Sequence, residues 1–263
     1  ERVAWPEAAL AAQQRFAEGL DALLAAAALH PFDERQRAYI AGFGAAPTLL
    51  VQGPPGTGKS YTTAFALLAR LQGALAAGQT FRALLSCKTH AATDVLLEKI
   101  AEVQAKLRAV AAGHPELFQR YFDPRILSAP LYRIAPKDPE RARPAAIQVP
   151  GPDDDIAGLL QQHVAAFAAV TPFATARICK TKGGYFGQSF CDCLVLDEAS
   201  QMNLPEAVMA ALPLRPDGQL IVVGDHRQMP PIVQHSGHAE RRRTFQEYRA
   251  YASLFETLLR REP

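Results

Sequence analysis

The residues most suited to chemistry form a glycine-rich run that ends in a lysine and a serine. The run is Gly53, Pro54, Pro55, Gly56, Thr57, Gly58, Lys59 and Ser60. It satisfies the pattern G-x-x-x-x-G-K-S, with a strand-like stretch before it and a helix-like stretch after it. In such a loop, backbone N–H groups and the helix dipole surround a triphosphate. Lys59 would place its charge between the β- and γ-phosphates, and Ser60 would offer a hydroxyl to Mg²⁺, which prefers oxygen ligands. An ordinary Gly-Pro turn does not account for Lys59 and Ser60 at the start of a helix.

Two carboxylates follow an apolar strand-like stretch later in the chain. Asp197 and Glu198 come directly after residues 193–196, at the edge where parallel sheets bind their ligands. Asp197 would hold Mg²⁺, usually through a water, and Glu198 would accept a proton from the water that attacks the γ-phosphate. An Asp-Glu pair after a strand is common, but its position downstream of a phosphate loop favours this interpretation.

A third polar loop follows the next strand-like stretch. It runs over residues 224–231 and contains Gln228, whose amide could reach the γ-phosphate and report its presence. A polar loop closed by Pro230 and Pro231 is the structural alternative. The order of the three motifs along the chain favours the sensor, so Gln228 joins Lys59, Asp197 and Glu198 as a candidate catalytic residue.

Apolar runs of strand length alternate with helical patterns, which is typical of a parallel sheet covered by helices on both faces. The predicted strands are 48–52, 82–86, 166–171, 191–196 and 219–223. The predicted helices are 59–75, 90–111 with Thr89 as N-cap, and about 155–165. We therefore predict an α/β fold, a parallel-sheet P-loop NTPase domain over residues 31–263, after an N-terminal helix within residues 1–30.

One segment, at about 113–154, interrupts this alternation. It contains eight prolines, which can continue neither a long helix nor a central strand. We interpret it as an inserted irregular segment, either a wall against substrate or surface filling.

Composition excludes several classes of protein. The chain has 263 residues, a net charge of +2 and 21% charged residues, so neither charge-driven disorder nor polyanion binding by bulk charge is expected. Four cysteines are too few for a disulfide scaffold, which favours a reducing, cytoplasmic location. Cys191 and Cys193 could be half of a zinc site, but two small residues in a buried strand is the favoured interpretation. The longest early apolar run, 20–29, is too short for a membrane span.

The motifs together resemble the first motor domain of superfamily 1 helicases, in particular the group B branch that contains the nonsense-mediated-decay helicase. The resemblance rests on Gln36, GPPGTGKS, DEASQ at 197–201 and GDHRQMPP at 224–231. It implies a RecA-like domain that binds ATP and Mg²⁺, with Gln36 as the adenine contact, although a solvated helix residue remains the alternative there. Tyr61, next after Ser60, belongs to the same predicted nucleotide-binding set.

The resemblance also implies a single-stranded nucleic acid, DNA or RNA, as partner. Lys88, Thr89 and His90 stand where the family usually has Pro-Ser-Asn, a motif that grips the strand, and Thr171 occupies another contact position or a plain turn. Movement from 5′ to 3′ is implied, and DNA is preferred to RNA.

The family has a second RecA-like domain whose arginines face the nucleotide, and these are expected outside this chain. Glu1 is not a methionine and the end at Pro263 is abrupt, which suggests a piece of a longer protein. The piece is then expected to bind ATP, hydrolyse it slowly and not unwind a duplex, because arginine fingers contribute roughly 10³ to 10⁵ in rate. An ATP-gated switch that binds a partner without unwinding is the alternative function.

Overall fold

The computed structural model describes residues 6–25, 32–54, 56–225, 227, 231 and 253–260. Pro55 and Gln228, both among the predicted site residues, lie outside this described part of the chain. Within it, no helix has the length and apolar character that crossing a membrane requires.

Helices and strands alternate over most of the described chain. The strands are β1 Thr48–Gln52, β2 Phe81–Cys87, β3 Leu131–Arg133, β4 Ile147–Gln148, β5 Ala165–Ala169, β6 Cys191–Asp197 and β7 Leu214–Gly224. The helices are α1 Glu7–Ala25, α2 Glu34–Ala41, α3 Lys59–Ala76, α4 His90–Gly113, α5 Pro115–Tyr121, α6 Ile156–Gln161, α7 Pro172–Cys179, α8 Leu204–Ala211 and α9 Leu254–Leu259. Short 3₁₀ turns occupy Pro124–Leu127 and Ala199–Gln201.

The strands form one seven-stranded sheet in the order β1-β7-β6-β2-β5-β3-β4. Every neighbouring pair is parallel, which confirms the predicted α/β class. Because parallel strands end at the same edge of a sheet, the loops that follow β1, β2, β5 and β6 lie together at one edge. These loops carry the phosphate loop, the Lys88–His90 segment, Thr171 and the acidic pair, whereas the third predicted motif follows β7 and lies largely outside the described residues.

The first strand and the helix after it have the predicted character. β1 has the predicted bounds, and α3 begins at Lys59. Helix α3 is buried over most of its length because α1, α2 and α4 pack around it. Its phosphate-binding end is therefore anchored in the core through residues such as Phe65 and Leu68, both fully buried.

Buried polar side chains fix the chain between α2 and β1. Arg70 on α3, which is 0% exposed, donates to the carbonyl oxygens of Tyr39 and Gly42 and to Gln219 Oε1. Gln219 Nε2 in turn donates to the carbonyl oxygens of Phe43, Gly44 and Ala46. These bonds satisfy backbone groups at and beyond the end of the short helix α2, and they fix this end against α3 and β7.

The proline-rich segment contains more regular structure than the sequence indicated. It contributes α5 and two short strands, with β3 beside β5 and β4 beside β3, so the five predicted strands become seven. Strands of three and two residues carry too little periodicity to be recognised, and proline is tolerated beside them because they lie at the sheet edge.

The helix predicted at about 155–165 was too long. It ends at Gln161, because residues from Ala165 onward form β5 and pair with β2. The strand predicted at 166–171 accordingly begins at Ala165 and ends at Ala169.

Candidate nucleotide and nucleic-acid site

The glycine-rich loop connects the end of β1 to the first turn of α3. Gly56 and Gly58 have φ values of +78° and +74°, in the left-handed region that glycine adopts without strain. A Cβ at Gly56 would meet open space, so conformation rather than crowding requires glycine there. A Cβ at Gly53, by contrast, would lie 2.9 Å from Thr57 Oγ1 and clash.

Lys59 is held within the loop that precedes it. Its Nζ donates to the carbonyl oxygens of Gly53 at 2.7 Å and Pro54 at 3.1 Å. Among the described residues it forms no ion pair with a carboxylate. Its positive charge is therefore fixed at the loop by neutral acceptors and is available to an anion.

Ser60 and Asp197 meet across the sheet edge although they are distant in sequence. Ser60 Oγ donates to Asp197 Oδ2 at 3.3 Å, and the Glu198 N–H donates to Asp197 Oδ1 at 2.8 Å. Asp197 is only 4% exposed. Burial raises the pKa of its carboxyl to about 6, against the opposing effects of the Glu198 N–H and the Ser60 hydroxyl. Ser60 and Asp197 thus provide two hard oxygen atoms, and neighbouring groups compensate the buried charge of Asp197 only in part.

Glu198 turns the chain at the end of β6. Its φ of +54° and ψ of +35° place a non-glycine residue in the left-handed region, which costs of order 1–3 kcal/mol and is concentrated at functional sites. Its side chain contributes to a cavity of about 670 Å³ at the sheet edge. The residues that line this cavity are Gly56, Gly58, Lys59, Ser60, Tyr61, Lys88, Thr89, Ala92, Val95, Lys99, Glu198 and Gln201.

This arrangement fits a magnesium-bound triphosphate. The Ser60 hydroxyl and the Asp197 carboxylate are the ligand types that Mg²⁺ prefers. The left-handed glycines turn the loop as a phosphate cradle requires, and Lys59 supplies the cation. These residues would hold the metal and the phosphates.

Gln36 connects helix α2 to the phosphate loop. Its backbone and side chain complete a capping box with Asp33, and its Nε2 donates to the Thr57 carbonyl oxygen at 3.0 Å. Gln36 also lines a smaller cavity of about 250 Å³, together with Tyr39, Gly53 and other residues of the loop. The side chain predicted to contact adenine therefore lies against the loop on the far side of Lys59, which lines both cavities.

Tyr61 faces both the cavity and the core. Its ring stacks on Phe32 at 6.2 Å between centroids and meets the edge of Phe65 at 5.0 Å. Lys106 lies over the same ring and donates to the Tyr61 hydroxyl at 3.1 Å. Tyr61 thus has a packing role beside the predicted contact with nucleotide.

The residues predicted to touch nucleic acid have different environments. Lys88 Nζ donates to the Gln201 carbonyl oxygen at 3.0 Å and lies 3.4 Å from Glu206 Oε1, so it braces the acidic loop. Thr89 caps α4 by accepting from the Ala92 N–H, as predicted, and is exposed.

The other two predicted nucleic-acid contacts, His90 and Thr171, lie against other parts of the protein. His90 Nδ1 lies 3.0 Å from an Arg133 amino group. Thr171 stands at the N-cap of α7 without a side-chain capping bond and is only 6% exposed.

Sequence reasoning missed a buried ionic cluster centred on Asp94. Arg133, 0% exposed, donates to Asp94 Oδ1 at 2.5 Å, and Arg141 donates to Oδ2 at 2.8 Å. Arg143 lies 3.6 Å from the same carboxylate. No motif signals this cluster, because α4 supplies the acid and the proline-rich segment supplies the bases.

Comparisons with known proteins point to one family. A family described as an AAA domain matches residues 36–234. The DNA replication ATP-dependent helicase/nuclease DNA2 of Saccharomyces cerevisiae is 28% identical over 214 residues, covering 81% of this chain and 11% of the relative. The 3'-5' exoribonuclease HELZ2 of Mus musculus is 29% identical over 196 residues, covering 70% of this chain and 6% of the relative. The chain thus spans a small part of the curated relatives it matches.

Among solved structures, the RNA-helicase Prp28 from Chaetomium thermophilum bound to ADP aligns with a TM-score of 0.46 and 17% identity. The alignment covers 87% of this chain and 46% of that chain. From the family match and the curated relatives, the chain belongs to the AAA-domain family and is a RecA-like motor domain of the superfamily 1 helicase type.

Proposed function

We propose that this chain is the ATP-binding and ATP-hydrolysing first motor domain of a group B helicase or translocase that moves along single-stranded nucleic acid. The observation that carries the proposal is the contact between Ser60 and Asp197, which joins two motifs 137 residues apart at the end of the phosphate loop. A plain turn does not need a contact between these two motifs, and a magnesium-bound triphosphate explains both partners.

The chemistry follows from the positions of these side chains. Lys59 and the loop N–H groups bind the triphosphate, and Ser60 and Asp197 hold Mg²⁺, which when bound neutralises charge on the phosphates. Glu198, at the end of β6 and lining the same cavity, orients the attacking water and takes its proton. Gln36 contacts the base beyond the loop. Gln228 lies outside the described residues, and its role in reporting the γ-phosphate is proposed from the sequence motif alone.

The kind of nucleic acid and the direction of movement are the more detailed parts of the proposal. Relatives named for DNA replication support DNA, and movement from 5′ to 3′ follows from the group B resemblance. A second RecA-like domain would supply arginines across the nucleotide, so these 263 residues alone hydrolyse ATP slowly. A reducing, cytoplasmic location is part of the same proposal.

The test is ATP binding by this chain, and ATP turnover by the longer protein that carries both proposed motor domains, with and without single-stranded DNA and RNA. Lys59→Ala is expected to weaken ATP binding and to lower turnover about 10²-fold or more, the range found when one charge-stabilising donor is removed. Glu198→Gln is expected to bind ATP and lose turnover. The matched control is Glu18→Gln, an exposed acid on α1, which should behave like the unchanged protein.

The outcomes separate the two functions. Nucleic acid that stimulates turnover supports the motor. Nucleotide-dependent strand binding with turnover unchanged by either nucleic acid supports the switch, and unchanged ATP binding in Lys59→Ala contradicts the site itself.

A further inference from the structure

Lys88 is the first residue after β2, and its side chain reaches the acidic loop that follows β6. The two strands are neighbours, and Cys87 at the end of β2 lies opposite Asp197 at the end of β6. The Lys88 side chain therefore starts beside the point at which the acidic loop begins. Its Nζ donates to the Gln201 carbonyl oxygen at 3.0 Å, and both residues line the nucleotide cavity.

Gln201 is the last residue of the short 3₁₀ turn that begins directly after Glu198. The Gln201 N–H donates to the Glu198 carbonyl oxygen at 3.0 Å, and the Met202 N–H donates to the Ala199 carbonyl oxygen at 3.2 Å. These two bonds join the turn into one unit. A constraint on the Gln201 carbonyl group is therefore also a constraint on the backbone of Glu198.

The backbone of Glu198 needs such a constraint. Its φ of +54° is a strained conformation for a residue other than glycine, and it persists only where surrounding contacts determine it. Burial fixes one side of the turn, since Ala199 and Ser200 are 0% and 2% exposed. On the cavity side Gln201 is half-buried, and Lys88 Nζ holds its carbonyl group there.

A second contact fixes the direction of the Lys88 side chain. Its Nζ lies 3.4 Å from Glu206 Oε1, in an ion pair whose side chains are 27% and 13% exposed. The other oxygen of that carboxylate accepts from the Asn203 N–H at 2.9 Å, so Glu206 is held in the capping box of α8. The helix cap thus places the lysine ammonium group at the Gln201 carbonyl oxygen.

We propose that Lys88 is a positioning residue for ATP hydrolysis, which holds through the Gln201 carbonyl oxygen the turn that aims the Glu198 carboxylate into the nucleotide cavity. The inference rests on the proposed function, in which Glu198 orients the attacking water and takes its proton. The role requires no nucleic acid. Experiment can therefore separate it from the strand contact that the sequence predicts for Lys88.

The test is ATP turnover, without nucleic acid, by the longer protein that carries both proposed motor domains. Lys88→Met is expected to lower kcat about tenfold, because a small misplacement of a catalytic group slows the chemical step. KM and the Kd for ATP are expected to stay unchanged, since the Lys88 charge is already paired with Glu206. Lys88→Arg, which can still donate to the Gln201 carbonyl, should restore most of kcat. The matched control is Lys180→Met, an exposed lysine at the end of α7, which should match the wild type.

A milder variant keeps the test independent of any loss of folding in Lys88→Met. Glu206→Gln preserves the capping box, which accepts glutamine at this position, and removes the charge that directs Lys88. Loss of this ion pair is expected to lower kcat about two- to fivefold. Melting curves show whether each variant is folded at the assay temperature.

A double variant distinguishes positioning from a general weakening of the protein. In a Glu198→Gln background, which lacks the group that takes the proton, Lys88→Met is expected to cause no further loss of turnover, because both residues act on one step. An unchanged kcat in Lys88→Met, an equal fall in both backgrounds, or a raised KM with kcat unchanged would overturn the positioning role. A wild-type protein that turns over no ATP would instead overturn the proposed function, and the positioning role with it.

Discussion

Two buried aspartates at the same sheet edge, Asp94 and Asp197, lie in opposite electrostatic environments. Asp94 is 5% exposed and lies among three arginines, of which Arg133 is itself fully buried. Asp197 is 4% exposed and, from the described part of the chain, receives one hydroxyl and one backbone N–H as hydrogen-bond donors. The two carboxylates are similarly buried, but the protein neutralises the charge of Asp94 far more completely than that of Asp197.

The difference separates a structural charge from a functional one. Asp94 joins α4 to the proline-rich segment, and its charge is neutralised within the protein. Asp197 keeps a charge whose burial is only partly compensated, which is the condition of a group prepared for a cation. The comparison predicts that mutations at the two sites change stability in opposite directions.

The largest expected effect is at the Asp94 cluster. Arg133→Met should lower the free energy of unfolding by about 3–5 kcal/mol, because it removes one partner of a buried ion pair. Urea denaturation at pH 7.5 measures it. The double variant Asp94→Leu with Arg133→Met should lose less than the sum of the two single variants, because the two residues are partners, and a loss in Arg133→Met below about 1 kcal/mol would contradict the structural role.

A change of opposite sign is expected at Asp197. The folded-state pKa of about 6 lies above the ordinary value of 3.8, so the contribution of Asp197 to stability is greatest below pH 3.8 and is lost as pH rises through 6. Asp197→Asn does not titrate, and its stability relative to wild type should rise by about 3 kcal/mol between pH 3.8 and 8. Denaturation without Mg²⁺ at several pH values measures this difference. A difference that does not change with pH would refute it.

The smallest effect is expected at Lys88, which contacts the acidic loop. Lys88→Met should lower stability by about 1 kcal/mol, because its bond to the Gln201 carbonyl and its ion pair with Glu206 are lost. Lys88→Arg should recover most of it. If Lys88 served only to contact a strand, thermal unfolding of Lys88→Met would match that of the wild type while strand affinity fell.

The contact between the phosphate loop and the acidic pair was predictable because each of these two motifs is a short contiguous run. The phosphate loop encodes its own turn, and Asp197 directly ends a strand, so the rule for parallel sheets brought it to Ser60. The Thr89 cap of α4 was likewise local and is confirmed.

The ionic cluster around Asp94 and the cavity that His90 and Gln188 line were not predictable, because the residues that form each of them are distant in sequence. Asp94 and Arg133 are 39 residues apart and belong to no pattern. Strand β3, which places Arg133, has three residues and forms only through its neighbour β5. Gln188 stands in an irregular stretch where no periodicity marks its orientation.

Three consecutive residues after β2 contribute to two separate cavities. Lys88 and Thr89 line the nucleotide cavity, and His90 lines a second cavity of about 840 Å³. Two ligands that bias the position of one shared segment are energetically linked, and such linkage is reciprocal. If a ligand in the second cavity tightens or loosens ATP binding by some factor, ATP must change the affinity for that ligand by the same factor.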